Sequence, residues 1–164
     1  MTQTDAMTAM MAMGAGIFMV IIVIGIVFYI LKSIALTTMA ANRGIENPWL
    51  GWIPVGDLYI AGTLLGEMEL FGYRLTNLGL WVPVAYVGGT ILGMIPVIGA
   101  LFSIALLVFA VIFTYNLFKI YSTQAVLFTV LSILLCLWPV FLFVVRNNQP
   151  IGQPVNIQPP SSEQ

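Results

Sequence analysis

The sequence predicts an all-α, polytopic membrane fold: four transmembrane helices plus one interfacial or re-entrant segment. Three observations predict it. Of 164 residues, 60% are apolar. Only 7% are charged, with five Lys/Arg, six Asp/Glu and no His, against about 25% in an ordinary soluble domain. The apolar residues also gather into uncharged runs of roughly 20 residues, the length that crosses about 30 Å of hydrocarbon. So few polar groups do not cover the surface of a soluble domain of this size.

The first span is expected at about residues 14–36. Its heart, Ile17 to Leu31, is rich in Ile and Val. These are poor helix formers in water, but lipid forces a helix because every backbone N–H must be satisfied internally. The residues ahead of it, Met1 to Gly14, hold one acid and no base. A signal peptide needs a basic start, so the run is expected to remain as an anchor.

The second and third spans are expected at 78–98 and 101–118. The second is interrupted by Pro83, Gly88, Gly89, Gly93 and Pro96. Turn formers without charge between Pro96 and Ala100 suit a tight hairpin better than one helix of twice the bilayer thickness. A fourth span is expected at 125–145, where Pro139 should kink or end the helix.

Segment 48–66 is apolar but contains two Pro, four Gly and Asp57. An ionised Asp at the bilayer centre costs about 2.5–3.5 kcal/mol, and Trp49, Trp52 and Tyr59 favour the interface. An interfacial or re-entrant element is therefore expected, with a fifth span as the alternative. Residues 1–146 form one helical domain on this reading. Residues 147–164, with Pro150, Pro154, Pro159 and Pro160, form a polar tail expected to be disordered.

The bases orient the spans. With four spans, Lys32, Arg43, Arg74 and Lys119 act as cytoplasmic anchors, Arg146 lies alone outside, and both termini are outside. With five spans the split is three against two. The positive-inside rule favours the first arrangement.

A near-repeat is also visible. Trp52-Ile-Pro-Val followed by Tyr59-Ile-Ala-Gly-Thr-Leu-Leu-Gly66 parallels Trp81-Val-Pro-Val followed by Tyr86-Val-Gly-Gly-Thr-Ile-Leu-Gly93. Each copy ends in small residues four apart, Gly62/Gly66 and Gly89/Gly93, a spacing that lets helices approach closely. One reading is chance in an apolar chain. The sharper one is a pair of broken helices that pack together.

Little catalytic chemistry is open to this composition. Without His there is no imidazole base or His metal ligand, and one Cys excludes an internal disulfide or a Cys-clustered metal site. No metal site and no cofactor are expected. Net charge of −1 removes the footprint of a nucleic-acid binder. Cys136 is expected to be an inert packing residue within the fourth span, and Arg43 and Glu46 are placed to pair across a turn. Asp57 is the one acid inside an apolar stretch, which makes it the candidate binding residue. The competing reading has it facing water or capping a short helix. Glu67 and Glu69 do not share a helix face and make no acid/base pair.

The run Arg43-Gly-Ile-Glu-Asn-Pro-Trp-Leu-Gly-Trp-Ile-Pro-Val-Gly-Asp-Leu-Tyr, together with the later Ile-Pro-Val-Ile-Gly and Arg146-Asn147, resembles a pattern in small, uncharacterised multi-pass bacterial membrane proteins, many from Gram-positive lineages. The resemblance covers about residues 15–148. It implies a bacterial plasma-membrane protein and brings no catalytic residue with it. The expected function is a non-catalytic accessory or scaffold subunit, or a self-associating protein. It would work through helix packing in the lipid bilayer, as a homo- or hetero-oligomer. The alternatives are a small transporter or channel subunit with a site at Asp57 and, third, a membrane enzyme.

Overall fold

The computed structural model describes residues 3–151, so the tail expected at 147–164 lies outside the described residues from position 152 onward. Six α-helices and one two-stranded hairpin are present among the described residues. Two of the helices, Met7–Asn42 and Gly99–Tyr121 within their longer elements, are long and apolar enough to cross a membrane.

Helix α1 runs Gln3–Asn42, about 60 Å at 1.5 Å per residue. Its two parts differ sharply. Residues 7–27 are exposed throughout. Ser33, Ala35, Leu36, Met39 and Ala40 are buried in the core. The helix ends where Gly44 adopts a φ of 66°. The Ile45 amide then donates to Ala40 and the Gly44 amide to Ala41, at 3.0 and 3.1 Å. This left-handed glycine cap satisfies the last carbonyls and reverses the chain.

The chain then descends alongside α1 as a 3-10 helix, Pro48–Trp52, and returns as α2, Gly56–Leu65. Gly51 lies against Thr37 and Leu36. Lys32 pairs with Asp57 at the start of α2, and Arg43 Nη2 donates to the Leu64 carbonyl at 3.2 Å near its end. Segment 48–66 therefore reaches down α1 from the level of Arg43 to that of Lys32, about 16 Å, and comes back. The ten residues of α2 span about 15 Å, half of what a crossing needs.

Strands β1, Met68–Leu70, and β2, Tyr73–Leu75, pair antiparallel with Glu69 opposite Arg74. This hairpin departs from the all-α expectation. Phe71 and Gly72, both at positive φ (50° and 84°), form its two-residue turn, the geometry that matches strand twist.

Helices α3, Leu78–Leu92, and α4, Pro96–Tyr121, form a helical hairpin. Its turn falls at Gly93–Ile95 rather than at the expected 96–100. Pro96 opens α4 instead of breaking it, because a first-turn proline lacks only an N–H that would be unpaired anyway.

The expected single span at 125–145 is not one helix. It is α5, Ala125–Leu135, and α6, Trp138–Val145, folded back on each other. The rings of Phe128 and Phe141 stack with centroids 4.8 Å apart, whereas a continuous helix would hold these positions about 20 Å apart. Cys136 at φ 52° makes the reversal, and Pro139 sits in the first turn of α6. Cys136 is thus exposed at a turn rather than packed within a span. Past α6, Asn148 Nδ2 donates to the Tyr121 carbonyl at 2.8 Å and Asn42 Nδ2 to the Arg146 carbonyl at 3.4 Å. Both ends of the α5–α6 hairpin therefore sit beside the C-terminal ends of α1 and α4.

Candidate functional site

Asp57 stands in the first turn of α2, where the helix N-terminus favours a carboxylate. Its Oδ1 accepts from the Leu58 amide at 2.7 Å, and its own amide donates to Ile53 at 2.9 Å. Its Oδ2 meets Lys32 Nζ of α1 in an ion pair. The residue is buried, at 7% exposure. The Lys32 side chain keeps 20%. Lys32 Nζ also lies 5.0 Å from the centre of the Tyr29 ring.

Tyr29 and Lys32 are three apart and share one face of α1. Tyr29 hydroxyl donates to the Trp52 carbonyl, and Lys32 holds Asp57. The two side chains thus pin both limbs of segment 48–66 at its deepest point. The turn between those limbs is tightly built. A Cβ on Gly56 would lie 2.7 Å from the Leu50 carbonyl oxygen, and Val55 has a φ of 73°. For a β-branched residue that conformation costs on the order of 1–3 kcal/mol.

The four glycines of the near-repeat fall into two kinds. Gly62 packs against the Leu78 carbonyl at the start of α3, and Gly79 opposite packs against Thr63 and Tyr59, so α2 and α3 touch backbone to backbone. Gly89 of α3 instead receives Leu106 and the Phe102 ring of α4. Gly66 and Gly93 terminate their helices, Gly66 at φ 74°. The broken helices of the two copies do pack together, but Gly62 and Gly89 face different neighbours.

The bases expected as surface anchors separate as well. Lys32 lies well back along α1, in the ion pair. Arg43 does not pair with Glu46: it reaches Leu64 and stacks 5.6 Å from the Tyr121 ring. Arg74 makes an exposed pair with Glu67 at 3.5 Å, and Lys119 is exposed in the last turn of α4. Arg146, expected on the opposite side, stands near Arg43, with its guanidinium 3.6 Å from the Phe143 ring.

A cleft of about 370 Å³ opens where α2, the β-hairpin and α3 meet, lined by Tyr59, Thr63, Glu67, Thr76 and Asn77 among others. Among the described residues no three His, Cys, Asp or Glu side chains gather to hold a metal ion. Sequence reasoning singled out Asp57 but missed Tyr29 and the pairing role of Lys32. The available signal was a base and a tyrosine three apart at the end of one apolar run, with a lone acid in the next. Comparison with known protein families, curated sequences and solved structures finds no match to this chain.

Proposed function

We propose that this chain is a multi-pass protein of the bacterial plasma membrane without chemistry of its own. It acts through helix packing, as an accessory or scaffold subunit or as a self-associating protein. The observation that carries this reading is the bare part of α1. The most apolar 18-residue window of that helix is 0% buried, while its C-terminal third is packed on several sides. Gly14, Gly16 and Gly25 lie on this bare part with open space where a Cβ would stand, so a neighbouring helix can come close. Asp57 fits the same reading, because Lys32 neutralises it within the seam between α1 and α2.

Disulfide cross-linking in native membranes tests the proposal. The single native cysteine is removed by Cys136→Ser, and cysteines are placed in turn from Ile17 to Ile24. Cross-links to a second copy or to one partner should recur every three to four positions. Absence of cross-links at every position would overturn it.

A second reading is a small transporter or channel subunit. It is favoured by the two fold-back segments, one of which carries a buried ion pair, since broken helices of this kind build transport sites. Flux into proteoliposomes that is lost with Asp57→Asn would promote that reading.

A further inference from the structure

The chain places nearly all its positive charge at one end. Arg43 follows α1, Arg74 lies in β2, Lys119 closes α4 and Arg146 closes α6. Contacts across elements tie these ends together: Arg43 stacks on Tyr121, Asn42 bonds Arg146, Asn148 bonds Tyr121, and Arg43 also bonds the Leu64 carbonyl at the end of α2, just ahead of the β-hairpin that carries Arg74. The opposite end is nearly uncharged. Asp5 is the one charged residue in positions 1–31, and positions 78–118, including the α3–α4 turn, have none.

We infer that the end bearing Arg43, Arg74, Lys119 and Arg146 is the cytoplasmic membrane face, set against the anionic headgroups of the inner leaflet. Segments 48–66 and 125–145 are then both re-entrant hairpins dipping from that face, and residues 147–151, which follow α6, are cytoplasmic. This rests on the membrane reading proposed above. The positive-inside rule counts Lys and Arg in short loops near span ends. An α5–α6 segment that crossed would strand Arg146 on the far side. Folded back, it brings Arg146 to the others, and the discordant base of the four-span arrangement disappears. α1 runs from the uncharged end to the charged one, while the α3–α4 hairpin starts after Arg74 and ends at Lys119, leaving and returning to the same face, so residues 3 and 151 lie on opposite sides. Aromatic stacking suits this placement. Tyr121 and Phe143 support the Arg43 and Arg146 guanidinium groups at the level where amphipathic rings and snorkelling bases meet phosphate. Backbone at membrane depth must have its polar groups satisfied within the protein. At the tip of 48–66, where Trp52 to Val55 are exposed, Tyr29 hydroxyl donates to the Trp52 carbonyl, the Ile53 amide to Leu50, and the Asp57 and Tyr59 amides to the Ile53 and Val55 carbonyls.

Cysteine accessibility in whole cells tests the inference. On the Cys136→Ser background, Thr4→Cys, Glu46→Cys and Gln149→Cys each place a thiol at an exposed position. A membrane-impermeant maleimide should label Thr4→Cys in intact cells, and Glu46→Cys and Gln149→Cys only after permeabilisation. Labelling of Gln149→Cys in intact cells with Glu46→Cys protected would make 125–145 a crossing and overturn the inference. Glu46→Cys and Gln149→Cys labelled together in intact cells would reverse the orientation and also overturn it. Release of the protein by carbonate washing would instead defeat the membrane reading itself, and the inference with it.

Discussion

The two fold-back segments, 48–66 and 125–145, solve one problem by different means. Each must reverse the chain among apolar neighbours and bring it back beside the end of α1. The first is pinned by polar groups: Tyr29 to Trp52, Lys32 to Asp57, and Gly56 fitted under the Leu50 carbonyl. The second is held by rings. Phe128 stacks on Phe141, and Phe118 of α4 meets both edge-on at 5.8 and 6.4 Å. The contrast has an energetic meaning. In lipid, an apolar contact competes with tails that are as apolar as leucine, so stacking adds little beyond packing. A polar contact competes with an unsatisfied group, which is far worse. The first segment should therefore be the rigid one and the second the yielding one.

The largest effect is expected where that contrast is broken at Asp57. Asp57→Ala leaves Lys32 as a charge without its partner in a largely buried seam, and losing one member of such a pair costs about 3 kcal/mol or more. Replacing both members by apolar residues, Lys32→Met with Asp57→Leu, should recover most of that loss, because no charge is then stranded. Unfolding by graded SDS in mixed micelles measures both. If Asp57→Ala is as stable as the unaltered protein, the pair does not pin the segment. If the double variant is no better than the single, the seam depends on the charges for more than their mutual neutralisation.

How much of this was legible in the sequence follows from the same division. Uncharged runs, the break at Pro139 and the oddity of Asp57 are local properties, and each is visible from composition and spacing alone. The partner of Asp57 was not, because Lys32 lies 25 positions away and meets it only when 48–66 returns along α1. Arg146, expected alone beyond a fourth span, stands beside Asn42 at the end of α1, a placement hidden from the sequence for a related reason. A proline between two apolar runs reads equally as a kink or a reversal. The choice depends on Phe128 and Phe141 finding each other and on Asn148 reaching Tyr121. The β-hairpin escaped notice because its turn is Phe71-Gly72 rather than Asn-Gly. The near-repeat was visible as a pattern, but which neighbour each glycine faces depends on where α3 begins.

A smaller effect is expected in the ring-held hairpin. Phe141→Ala removes the stack on Phe128 and one edge contact with Phe118. Aromatic pairs contribute about 0.5–1.5 kcal/mol beyond their area, and on the membrane reading proposed above lipid fills the space left behind. The loss should be about 1 kcal/mol in the same titration, clearly below that of Asp57→Ala. An equal or larger loss would mean that the rings, not the ion pair, carry the tighter of the two reversals.

The smallest effect, and the only gain, is expected at Cys136. This residue makes the α5–α6 turn at φ 52°, ψ 30°, a left-handed conformation in which a Cβ crowds the backbone. Its side chain is exposed, so removing it sacrifices little packing. Cys136→Gly relieves the crowding but loosens the unfolded chain, and the two effects oppose each other. In left-handed positions the relief prevails, and a gain of about 0.5 kcal/mol is expected. Segment 48–66 carries the same kind of strain at Val55, whose φ is 73°, beside Gly56, which sits where a Cβ would meet a carbonyl. A loss of stability on Cys136→Gly would show that the thiol, rather than the backbone, holds the reversal.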